Sequence, residues 1–138
     1  MSHFQVHTRE TAPEGSHDVI DNYVERFGFL FNTVGMMAES PATLKGYAQT
    51  YGLLGETEFS PAEQQLIFLS VSRENACTYC VAAHSMAAKM MGVEDDVISA
   101  VRKGKTILDP KLAAISDFAI DVVKSRGHVS NDRVNNFL

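Results

Sequence analysis

Only two cysteines occur among the 138 residues of this chain. That scarcity excludes a disulfide framework, and it excludes a four-cysteine zinc site built from this chain alone. Positive charge is also short: 12 Lys and Arg stand against 17 Asp and Glu, a formal net charge of −5. The basic residues are scattered, so no basic stripe offsets phosphate charge and nucleic acid is not an expected partner. No apolar run approaches the ~18 residues that a membrane span requires, so no membrane is expected either. The opening Met1-Ser2-His3-Phe4-Gln5-Val6-His7 is polar and lacks the apolar stretch of a signal peptide. A cytoplasmic location is the expectation, and in that reducing compartment a thiol pair points to catalysis, redox sensing or metal binding rather than to a structural bridge. Asn-Gly and Asp-Gly hairpin signals are missing, as is any sustained alternation of period two. There is no nucleotide or flavin motif, no repeat and no low-complexity segment.

What the chain does have is the punctuation of helices. Hydrophobic residues make up 45% of it, enough for one domain with a real core. Ser40-Pro41, Ser60-Pro61 and Asp109-Pro110 each place a capping residue before a proline at the first helical position, where a missing N–H costs nothing. Ser60 and Glu63 form a capping box. Gly92, Gly104 and Gly127 follow expected helix ends. These signals predict helices over 17–28, 41–53, 61–74, 77–91, 94–103 and 110–126, with a short one from 131. Leu66, Ile67, Phe68, Leu69 and Val71 give the third of these a broad apolar surface that belongs near the centre of the fold. Leu112, Ile115, Ala119 and Val122 or Val123 form an amphipathic stripe on the sixth. The expected class is all-α, a compact multi-helix bundle over residues 15–138, preceded by an N-terminal arm over 1–14. Phe27-Gly28-Phe29-Leu30-Phe31 with Met36 and Met37 reads as core, or as the lining of a pocket or interface.

The two cysteines lie in Cys77-Thr78-Tyr79-Cys80-Val81-Ala82-Ala83-His84. On a helix starting near Cys77, the spacing puts Cys77, Cys80 and His84 on one face. Unpaired N–H groups in a first helical turn stabilise a thiolate, and cysteine pKa values fall from ~8.5 to roughly 3.5–7.5 in such settings. His84 can take a proton from a thiol or deliver one to a leaving oxygen. One sulfur can attack an O–O or S–S bond and the other resolve it to a disulfide. With both cysteines inside the helix, that bond is expected to strain the first turn. Alternatives stay open: two small buried hydrophobes, a core histidine, or a zinc site completed by a distant ligand. Gln65 shares a face with Phe68, Leu69 and Ser72 and either bonds within the site or faces water. Tyr79 is expected to pack, or else to lend its phenol to the site. Glu63 is expected to serve its cap, and Asn75 to cap the thiol helix.

The thiol octapeptide resembles the alkylhydroperoxidase D-like branch of the carboxymuconolactone decarboxylase family. So do Leu66-Ile67-Phe68-Leu69-Ser70-Val71-Ser72-Arg73-Glu74-Asn75 before it, Ser85, Ala87, Ala88 and Gly92 after it, and Phe27-Gly28-Phe29-Leu30, Asn32, Ala38, Ser40 and Pro41 upstream. The likeness runs over roughly residues 20–137. It implies an all-α fold assembling as a trimer or hexamer. It implies peroxide reduction with Cys80 attacking the peroxide, Cys77 resolving, and His84 in a proton relay. The family relay also carries a Glu twelve residues before the first cysteine, where this chain has Gln65, and an amide is no general base. Tyr79 stands where the best-known peroxidases of the group carry His. Relatives also continue beyond the position of Leu138, so closure of the core by a neighbouring subunit or by the N-terminal arm is expected.

The resulting expectation is a thiol-dependent peroxidase acting on hydrogen peroxide or organic hydroperoxides, with no bound cofactor and no metal. An external dithiol of lipoyl or thioredoxin type would return the disulfide to the dithiol. The alternative is a non-enzymatic redox sensor or disulfide-exchange module using the same cysteines. Lactone decarboxylation, the chemistry of the family's other branch, does not depend on the Cys-x-x-Cys-x-x-x-His string.

Overall fold

The computed structural model describes residues 4–138, so residues 1–3 of the expected arm lie outside the described residues. Every regular element among the described residues is helical: α1 His17–Phe27, α2 Asn32–Met37, α3 Pro41–Leu53, α4 Pro61–Glu74, α5 Thr78–Met90, α6 Asp95–Lys103, α7 Pro110–Lys124 and α8 Asn131–Phe137. None of the described helices is long and apolar enough to cross a membrane. Pro41, Pro61 and Pro110 each sit at a helix start. Ser40, Ser60 and Asp109 accept from the backbone N–H of Thr43, Glu63 and Leu112. The capping box is complete, since Ser60 N–H in turn donates to Glu63 Oε2 at 2.8 Å.

The chain divides into two compact units between Thr57 and Glu58. In the first, Ile20, Val34, Ala38 and Leu44 form a small core with Ala12. Helix α2 was not among the expected elements. Its N-cap, Phe31, has no side-chain acceptor, and Gly35 sits in its middle, so neither start signal nor propensity marks it. The glycine has a steric reason. A Cβ there would stand 2.7 Å from the carbonyl oxygen of His7, whose N–H donates to Gly35 O at 3.1 Å. The His7 ring is buried and bonded to Glu39 Oε2 at 2.6 Å. Of the aromatic segment, Leu30 and Phe31 pack against this core, as does Met37. Phe27 and Phe29 depart from the core reading, because they remain exposed while clustering with Tyr23 and Phe31.

The second unit is built around α4, which packs against α5, α6 and α7. Its Leu66 and Leu69 are fully buried among Ala88, Val97, Ile98, Val101 and Ile115. On α7 the inward stripe runs through Ile115 and Ala119 to Val123, while Val122 is exposed. Two polar links tie α4 to α7. The buried hydroxyls of Ser70 and Ser116 bond at 2.8 Å, and Glu63 Oε1 pairs with Lys111 Nζ at 2.6 Å. Bonds from Lys111 and Ser60 hold the Glu63 carboxyl down to about 2. Glu63 is thus committed to its cap and its lysine.

Candidate functional site

The site begins where α4 ends. Asn75 closes α4 rather than capping the next helix. Ala76 follows in the left-handed region at φ 54°, a conformation that glycine usually supplies after a helix. Ala76 N–H donates to Arg73 O and Cys77 N–H to Ser72 O, both at 3.0 Å. This pair of bonds satisfies the last carbonyls of α4 and fixes the direction in which Cys77 leaves it. The left-handed backbone costs an alanine about 1–2 kcal/mol, and the exposed Ala76 methyl recovers little of that by burial. Ala76→Gly is therefore expected to stabilise the protein by about 0.5–1 kcal/mol net of the extra unfolded-chain entropy of glycine. Urea unfolding should show a higher midpoint at unchanged slope; a lower midpoint would mean that the methyl packs.

Cys77 is the N-cap of α5, in an extended conformation one residue outside the helix. Its Sγ accepts from Cys80 N–H at 3.3 Å. Cys77 and Cys80 are joined in a disulfide with Cα atoms 5.3 Å apart, inside the usual range for such bridges. The first turn stays regular with the bridge in place. Because Cys77 stands outside the helix, α5 runs intact from Thr78, with Val81 N–H bonded to Cys77 O at 2.9 Å. Both cysteines are half-buried, so neither is sealed from a small reagent.

His84 follows one turn after Cys80, with its ring held from α4 on two sides. Its Nδ1–H donates to Gln65 Oε1 at 3.0 Å. Phe68 stacks on the imidazole with centroids 4.9 Å apart and planes inclined by 17°. Burial lowers the His84 pKa from its ordinary value of 6.5, because charging the ring means desolvating an imidazolium. Gln65 is 8% exposed, so of its two expected placements the structure takes the inner one.

The structure thus joins Cys77 to Cys80 at the start of α5 and His84, one turn after Cys80, to Gln65 of α4. It leaves Tyr79 out of the packing. Tyr79 stands in the first turn of α5 at 43% exposure. Phe68 is expected from its spacing on the face of Gln65, but its part in holding His84 is not. Ala76 carried no sequence signal, since nothing about an alanine announces a left-handed turn. Among the described residues no group of three or more His, Cys, Asp or Glu could hold a metal ion.

Compared with known protein families, residues 41–119 match the carboxymuconolactone decarboxylase family. No curated protein matches the chain.

Proposed function

The chain belongs to the carboxymuconolactone decarboxylase family, which includes alkylhydroperoxidase D-like proteins, and on that premise we propose that it is a thiol-dependent peroxidase for hydrogen peroxide or small organic hydroperoxides. The observation that carries this reading is the half-buried Cys77–Cys80 bridge at the start of α5 with a neutral-leaning imidazole one turn along. In the reduced enzyme His84 Nε2 takes the Cys80 thiol proton. The thiolate attacks the terminal oxygen of the hydroperoxide and the O–O bond breaks. The alkoxide or hydroxide leaves with its electron pair and is protonated by His84, so Cys80 becomes a sulfenic acid. Cys77 then attacks that sulfur, forming the disulfide and releasing water. An external dithiol of lipoyl or thioredoxin type returns two electrons, and the protein works as a homo-oligomer, a trimer or hexamer, in the cytoplasm.

Gln65 favours a second reading, a redox sensor or disulfide-exchange module. Without a carboxylate behind His84 the same thiols oxidise but turn over slowly. The two readings part on rate. Reduced protein mixed with cumene hydroperoxide should lose both thiols per hydroperoxide consumed, and excess dithiothreitol should sustain continuous consumption in stopped flow. Oxidation without sustained consumption would select the sensor. Thiols that survive excess hydroperoxide would end both.

A further inference from the structure

The sequence sets Gln65 where a carboxylate is expected, and the structure gives that amide a definite task. Resting on the peroxidase reading above, we propose that Gln65 is a positioning residue: its amide oxygen fixes His84 in the tautomer protonated at Nδ1, leaving Nε2 as a bare proton acceptor for the Cys80 thiol, backed by a neutral amide.

An amide oxygen only accepts, so a 3.0 Å contact between Gln65 Oε1 and His84 Nδ1 requires the proton to reside on Nδ1. In a neutral ring the other nitrogen is then unprotonated. The orientation is set twice over. The hydrogen bond fixes the ring edge and the stacked Phe68 fixes the ring plane. Both residues come from α4, whose register is set by Pro61 and the capping box and whose Leu66 and Leu69 are fully buried. Rotation of Gln65 away from the ring would leave a half-buried N–H without this acceptor.

Among the described residues, the charged groups on the helices packed against α5 have partners of their own or lie exposed. Helices α4 and α6 make the main contacts with α5. On α4, Glu63 is engaged by Lys111 and Ser60, and Glu74 lies near Arg73 and Lys124. On α6, Asp95 pairs with Lys89, Asp96 accepts from Val97 N–H, and Arg102 and Lys103 lie exposed in the last turn. Burial of the ring lowers the His84 pKa.

A neutral backing group has a chemical consequence. The fraction of thiolate–imidazolium pair depends on the difference between the imidazole and thiol pKa values, tenfold per unit. An amide at position 65 therefore keeps the resting dithiol less ionised at neutral pH than a carboxylate would. The imidazolium, once formed, is correspondingly acidic and gives its proton readily to a departing alkoxide. Gln65 sets the relay for fast proton return at the expense of resting reactivity.

The test uses ¹⁵N-histidine NMR on the reduced protein and the pH profile of Cys80 alkylation by iodoacetamide in a Cys77→Ser background. Neither needs peroxide turnover, so they judge Gln65 even if the peroxidase reading fails. The wild-type ring should show a protonated Nδ1 and a bare Nε2. Gln65→Glu should raise the His84 pKa by about one unit or more and speed alkylation near pH 6.5 about tenfold. Gln65→Leu should mix the two tautomers and slow alkylation at pH 7 severalfold without raising that pKa. A wild-type ring protonated at Nε2 would overturn the proposal. So would profiles for the Glu and Leu variants that superimpose on wild type.

Discussion

Cys80→Ser is expected to abolish hydroperoxide reduction, lowering kcat/KM by about 10³-fold or more. A serine hydroxyl stays protonated where a thiol ionises, and it cannot pass through a sulfenic acid to a disulfide. Cys77→Ser should behave differently. Its Cys80 can still attack, so each protein consumes one hydroperoxide in a burst and then stalls as the sulfenic acid, with over-oxidation at higher peroxide. The pair of variants assigns the two sulfurs. Stopped-flow consumption of cumene hydroperoxide measures both, with excess dithiol for steady turnover and without it for the single-turnover burst, whose amplitude separates attack from resolution. Equal rates for wild type and Cys80→Ser would end the peroxidase reading. A burst preserved in Cys80→Ser but lost in Cys77→Ser would reverse the roles, which is a real contest. Cys77 is the sulfur at the N-cap, where the Cys80 N–H points at it, and Cys80 is the sulfur one turn from His84.

Much of this site is legible from residue types because local rules govern it. Each proline with a capping residue before it marks a helix start, since the missing N–H is harmless only there. The starts of α3, α4 and α7 follow from that alone. The spacing of Cys77, Cys80 and His84 gives one helical face without any tertiary knowledge. What is not legible depends on contacts between distant segments. Helix α2 holds together around Gly35 because the His7 backbone lies against it, and nothing near Gly35 in sequence reports this. Ala76 takes a left-handed turn because the bonds to Arg73 and Ser72 outweigh the cost of its Cβ. Gln65 and Phe68 reach His84 only through the packing of α4 on α5. The one-residue shift that puts Cys77 outside α5 matters most for chemistry. It changes the sulfur from a member of the first turn into its cap, and with that it allows the bridge and an intact helix together.

His84→Ala carries the second large effect, and its pH dependence identifies the cause. At pH 7 the loss should be about 10²-fold, the usual scale for removing a positioned general base. In the wild type the ring is an acceptor only while neutral. Burial lowers its pKa below 6.5, so wild-type activity should hold to slightly acidic pH and fall only as pH drops through that lowered value. The variant has no such step. Its rate should instead climb tenfold per pH unit up to the thiol's own ionisation, near ~8.5 for an unperturbed cysteine. The two profiles therefore diverge most between about pH 6 and 7 and converge above ~8.5, where the thiolate forms without help. Stability gives an independent check through the same group. The unfolded chain takes up the His84 proton at higher pH than the folded one does. The folded state is thus favoured in full above ~6.5, and that advantage declines as pH falls toward the folded value. His84→Ala removes this dependence, so chemical unfolding at pH 5 and at pH 8 should differ less for the variant than for wild type. A rate deficit in His84→Ala that is uniform from pH 6 to 9 would show that the imidazole packs beneath the thiols without exchanging a proton with them.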